Sequence, residues 1–176
     1  MSPPLDTLIT QHDDVEAAAY RELVAAAPTA LAQGLGLQIR EIAGTTLLIA
    51  SGIPSPIFNR AIGVGNRQVV SDADLDAIST AYRQAGVTQW WLHISPSTSN
   101  NDLAARLNAR GFVLAERRSW AKVVRDNTPP KPVDTPAQIR LLQAGKENAL
   151  AETICISFEM PVTMAPWFAS LAKRPN

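Results

Sequence analysis

The chain has a single cysteine, Cys155, so no disulfide can form within it. That excludes a small scaffold held by internal disulfides and fits a reducing compartment. The thiol sits between Ile154 and Ile156 in an apolar helical pattern and reads as a packed side chain rather than a reactive one. An excess of charge is also missing: 16 basic and 16 acidic residues cancel, and the longest basic cluster is Arg117-Arg118. Nothing in that balance favours nucleic acid or an anionic membrane as a partner. No apolar run approaches the ~20 residues needed to cross a bilayer. The start, Met-Ser-Pro-Pro-Leu-Asp, lacks the basic residues and apolar stretch of a secretion signal. The expectation is a soluble protein of the cytoplasm.

What is present is ordinary globular material. A hydrophobic content of 46% over 176 residues is enough for a sizeable core. Val15, Ala19, Leu23, Ala26 and Ala27 recur at helical spacing, predicting a helix from Asp13 or Asp14 to Ala27, with the two aspartates at its positive end. Leu35, Leu37 and Ile39 alternate with polar residues or glycine as in a strand. A turn at Ala43-Gly44 leads into a second strand, Thr45 to Ala50, paired back as a hairpin. Ile53-Pro54-Ser55-Pro56 breaks the ladder, because proline has no backbone donor.

Phe58 to Val64 is the third expected strand. Ser71-Asp72-Ala73-Asp74 is a capped helix start, with Leu75, Ile78, Tyr82 and Ala85 as the apolar stripe and Gly86 as the stop. Gln89 to Ser95 is apolar enough for a central strand. A short helix from Asn101 or Asp102 to Arg110 follows, then strands at Phe112 to Arg117 and Ser119 to Arg125. The fold class expected is α/β (α+β), a mixed central sheet flanked by helices, complete within residues 1–125. Residues 126–136 hold four prolines and read as a semi-rigid linker. Residues 137–176 begin again with a strand (Gln138 to Gln143) and a helix (Lys146 to Phe158) carrying Leu150, Ile154 and Phe158 on one face. A second helix is expected from Met164 to Leu171. One strand in about forty residues cannot enclose a core, so this tail must pack on the first domain or on something further.

The strand–loop–helix–strand–helix order from Phe58 to Phe112 resembles the core of the GNAT superfamily of N-acetyltransferases. The run Ile53 to Gly65, the helix opening at Ser71, the Ile94-Ser95-Pro96 step and the ending at Leu107 to Phe112 resemble the N-terminal half of tandem proteins carrying two such domains. The tail then looks like the start of the second, with a partner domain beyond Asn176. The resemblance implies an acyl-CoA N-acyltransferase-like fold and acetyl transfer from acetyl-coenzyme A to an amine, on a small molecule or a protein. A splayed strand pair takes the pantetheine in such folds, and backbone amides at a helix start hold the pyrophosphate. No metal, nucleic acid or membrane is implied.

The family's phosphate loop, Arg/Gln-x-x-Gly-x-Gly/Ala, is matched by Arg60-Ala-Ile-Gly63-Val-Gly65, and Asn66 lies next to it. Arg60, Gly63, Gly65 and Asn66 are therefore the coenzyme-site candidates. The same residues also read as a plain third strand, its glycines alternating with Ile62 and Val64, and five residues separate Gly65 from the Ser71 cap. The family's Asn-x-x-Ala-x-x-Leu-Tyr-x-x-x-Gly-Phe is matched at Asn100 and Gly111-Phe112. Leu107 stands at the tyrosine that would protonate the leaving thiolate, and Leu103 at the alanine. The third strand has no carboxylate to act as base. His93 is the remaining candidate base, with a satisfied sheet histidine as the alternative. These departures lead to the expectation of a degenerate half, weakly active or inactive alone, or a non-catalytic binding or scaffold module supporting a catalytic partner domain. His12-Asp13-Asp14 reads as a helix start rather than a metal site. Trp90, Trp91 and Trp120 read as core rather than a ligand wall.

Overall fold

The computed structural model describes residues 5–95, 98, 102–115, 136, 138, 140–141 and 142–174. Its order is α1 (Leu5–Ala25), α2 (Thr29–Gly34), β1 (Leu37–Ile42), β2 (Thr45–Ala50), β3 (Arg60–Val64), α3 (Asp72–Gln84), β4 (Trp91–Ile94), α4 (Leu103–Asn108), α5 (Glu147–Ser157) and α6 (Ala165–Ala172). The four strands form one mixed sheet in chain order. β1, β2 and β3 are antiparallel, and β4 joins β3 in parallel.

The Ala43-Gly44 hairpin forms as expected, with Ile42 paired to Thr45. Both loop residues have positive φ, 49° and 73°, the type I′ geometry whose twist matches the flanking strands. β2 is buried along its whole length because both of its faces are covered. On one face α3 and α4 close a core of Leu47, Ile49, Ala61, Val64, Leu75, Ile78 and Tyr82. Ser71 caps α3 in a reciprocal box with Asp74, as the spacing predicts. Trp90 belongs to this core, stacked on Tyr82 at 4.2 Å and edge-on to Phe112.

The opposite face carries α1, α2 and the α5–α6 hairpin. Ala151, Cys155, Met164, Trp167 and Ala169 share one cluster with Leu23, Leu31, Leu35, Leu37 and Phe58. The Trp167 indole donates to the Leu23 carbonyl at 2.6 Å, and Arg174 pairs with Glu22 at 2.8 Å. The tail therefore completes the face of the sheet that precedes it in the chain. Cys155 is buried, as its apolar flanks predict.

Several expectations need correction. α1 begins at Leu5, so Asp13 and Asp14 lie in mid-helix, where side chains of the β3 loop rather than the helix dipole hold them. α2 was not foreseen. Pro56–Phe58 form a 3₁₀ turn, with Ser55 Oγ accepting from the Ile57 amide, so β3 starts at Arg60. Among the described residues β4 pairs on one side only, and Phe112 to Ala115 carry no strand. The described residues of Gln138 to Gln143 also form no strand. Leu141 is 95% exposed there, and a strand without a ladder partner leaves its backbone groups to water. On α5 the buried face is Ala151 and Cys155 rather than Leu150 and Phe158, because small residues let the helix approach α6 closely. The expected strand Ser119 to Arg125, Trp120, Asn100 and nearly all of the 126–136 linker lie outside the described residues.

Candidate functional site

Both edges of β3 lose their ladder at the same place. On the β2 side the last pair is Thr46 with Ile62. On the β4 side Ala61 faces Leu92 and Val64 faces Ile94. Two β3 residues, Ile62 and Gly63, therefore stand against one β4 residue, His93. This is a β-bulge in a parallel pair, an uncommon position that bends the strand and locally interrupts the ladder before Val64 pairs with Ile94. Gly63 and Gly65 both lie in the left-handed region, at φ 81° and 76°, where a β-carbon is strained. The Asn66 amide donates to the Gly63 carbonyl at 3.2 Å, so Gly65 occupies the third place of a turn that needs positive φ there. The Arg60-x-x-Gly63-x-Gly65 run is thus a strand that bulges and turns.

His93 and Gly63 are brought to one level of the sheet. Arg60 pairs with Trp91 and points towards α1, and alternation puts His93 on that same face. His93 is half-buried and already engaged in the protein.

The polar candidates bind α1. Arg60, 3% exposed, donates from Nε to the Ile57 carbonyl at 2.7 Å and from Nη1 to Glu16 at 3.0 Å, with its guanidinium 5.0 Å from the Tyr20 ring centre. Asn66 donates to Asp13 at 2.6 Å, and Arg67 pairs with Asp14 at 2.6 Å. The Asn66 side-chain oxygen, Oδ1, is buried with no hydrogen-bond partner among the described residues. Burial pushes the Tyr20 phenol above its ordinary range, partly offset by Arg60. The α3 start, where a pyrophosphate would be expected, already carries the Ser71–Asp74 box and the Asp72 carboxylate. Hydrogen bonding from Ser71 holds the Asp74 carboxyl below the usual range, so it is a charge that repels phosphate at neutral pH.

No family model, no curated protein and no solved structure matches the chain.

A cavity of 120 Å³ lies at the other end of β3, lined by Ser51, Ile53, Pro54, Asn59 and residues 86–89. It is small beside the ~300 Å³ at which small-molecule sites begin. Asn59 there is fully used: its amide accepts from the Ala50 N–H and donates to the carbonyls of Ala50, Ile53 and Ser55, pinning the proline loop. No group of three or more metal-ligating side chains occurs among the described residues, nor does any described helix have the length and apolarity to cross a membrane.

Sequence patterns did not mark Glu16, Asp13, Asp14 and Tyr20 as neighbours of the glycine turn. The spacing of Asp13 and Glu16, one helical turn apart, was the available signal. It became informative only once the helix was known to extend back to Leu5.

Proposed function

We propose that this chain is the N-terminal, catalytically degenerate portion of a GNAT-type N-acetyltransferase, a half that keeps the backbone of an acyl-coenzyme A cleft and acts as scaffold for chemistry elsewhere. The observation that carries this reading is the bulge at Ile62-Gly63, which interrupts the parallel β3–β4 ladder before it resumes at Val64 and Ile94, beside two left-handed glycines. An extended pantetheine arm would pair with backbone groups displaced from the ladder at such a bulge. Acetyl transfer needs an amine to attack the thioester carbonyl, a base to take the amine proton, and an acid for the thiolate that leaves. β3 offers no carboxylate, and Leu107, buried in the α3–α4 core, has no proton to give. Arg60 and Asn66 fasten α1 instead of waiting for phosphate.

Acetyl-coenzyme A titrated calorimetrically into the protein should bind weakly and saturably. Gly65→Val, which strains the turn, should abolish the heat. With polyamines or peptides as acceptors, release of free coenzyme A thiol should stay at background. Turnover well above background would make this an active half, with His93 the base to test by His93→Ala. No heat in either protein would leave a scaffold without a coenzyme site.

A further inference from the structure

Among the described residues β1 pairs only with β2, in an unbroken register from Leu37 with Ala50 to Ile42 with Thr45. The two-residue Ala43-Gly44 loop makes Ile42 and Thr45 a hydrogen-bonded pair, so Gln38, Arg40 and Ile42 direct their backbone groups to β2. Leu37, Ile39 and Glu41 direct theirs away from the sheet. Edge strands are usually blunted by lysine, proline or a bulge, and β1 has none of these. None of its residues is fully buried, and Arg40 and Glu41 are exposed. Strand alternation puts Gln38 and Arg40 on one face of the sheet, where Arg40 donates to the Gln38 carbonyl oxygen at 2.8 and 3.1 Å. Glu41 is held on the other face by Arg21 of α1.

We propose that β1 is a self-association edge, on which β1 of a second copy of this chain docks antiparallel about a two-fold axis at Ile39 and joins the two sheets into one. The outward-directed residues are symmetric about that position. Leu37 then faces the partner's Glu41 and Ile39 faces the partner's Ile39, each pair exchanging both of its backbone hydrogen bonds. Arg40 lies across from the partner's Gln38, an acceptor of the kind it already uses. Charge selects this register over its neighbours. An axis at Arg40 sets two arginines face to face, and one at Glu41 sets two glutamates face to face, both of which destabilise a strand pair. An axis at Gln38 leaves Glu41 beyond the paired residues. The proposal does not depend on the coenzyme reading, because β2 separates β1 from the bulged β3.

Sedimentation equilibrium of the whole chain should show a concentration-dependent exchange between monomer and dimer. The association should be weak, since a single strand pair buries less than the ~1,200 Å² of a stable interface. Hydrogen exchange read at single amides tests the geometry in the unaltered protein. Raising the concentration should slow the amides of Leu37, Ile39 and Glu41, while those of Gln38, Arg40 and Ile42 stay equally protected at every dilution. Gln38→Glu should tighten the dimer about threefold and Gln38→Arg should loosen it about threefold, because each dimer holds that contact twice. Ile39→Pro removes the central outward donor without touching a bond to β2 and should abolish the dimer, with urea unfolding to check the monomer. Should Ile39→Pro fail to fold, the Gln38 variants and the exchange pattern decide alone. A chain that stays monomeric into the millimolar range would overturn the proposal. So would slowing at another element instead of alternate β1 amides, equal dimer affinity in the two Gln38 variants, or a folded Ile39→Pro that still dimerises.

Discussion

The two faces of the sheet are built by different means. On the α3–α4 face the elements lie close in the chain and carry their own start and stop signals: the Ser71–Asp74 box, the Leu75–Ile78–Tyr82 stripe and the turns at Gly86 and Gly111. Its rim is bound by half-buried arginines, with Arg106 and Arg110 reaching the exposed Asp72 at 2.9 and 3.1 Å. The α1–α2 face is closed by chain from the far end, through an indole 144 residues away from the carbonyl it meets. Neighbouring elements can assemble one face at small loop-closure cost, whereas the other needs a long loop closed before its burial is gained.

The widest break in this comparison should come from Trp167→Ala. It empties a fully buried site and leaves the Leu23 carbonyl unpaired, at about 3–5 kcal/mol by urea unfolding. Hydrogen exchange should show α5 and α6 losing protection first while α3 keeps its own. Uniform loss in all helices would mean that the two faces fold as one unit. Ile78→Ala, at the centre of the opposite core, should cost about 2–4 kcal/mol and spare no helix, since α3 covers the strands both faces share. Glu16→Gln should cost about 1–2 kcal/mol, the loss of the carboxylate from a buried arginine that keeps its Ile57 and Tyr20 contacts, reduced by the 20% exposure of Glu16. A smaller change would show that water reaches Arg60 easily.

Ser71→Ala tests the local signals alone and should cost about 1 kcal/mol, the usual worth of a serine cap. The smallest effect concerns acid. The Arg106 guanidinium, with Arg110, holds the Asp72 carboxyl below its ordinary range. Its contribution is therefore complete above the unfolded aspartate value, about 4, and is lost as pH falls through the lower folded value. Thermal melts from neutral to acid pH should show a slightly shallower loss in Asp72→Asn. Coincident curves would mean that these exposed pairs contribute nothing measurable.

The fold was readable wherever a signal acts within one or two turns of chain. The Ala43-Gly44 hairpin and the α3 cap fall in place, and of the expected third strand the part from Arg60 to Val64 forms. Boundaries slipped where tertiary contacts override local preference. Asp13 and Asp14 look like a helix start because acids suit the positive end, yet Asn66 and Arg67 hold them in mid-helix. Leu150 and Phe158 look like the buried face of α5 because they are large, yet Ala151 and Cys155 meet α6. At the candidate site the glycines and His93 could be named from sequence. That His93 stands opposite a bulge, and that Arg60 turns to Glu16, could not.

Sequence alone determined the mixed α/β character, the chain order of the strands from Leu37 to Ile94, the Ala43-Gly44 hairpin and the α3 cap, because each depends on backbone propensities and side chains within a few residues. Tertiary structure alone decided that the tail closes the α1–α2 face and that the acids of α1 take the donors of the β3 turn. An apolar stripe or a carboxylate fits many partners of the same chemistry, and only chain connectivity and the packing of the whole sheet select one.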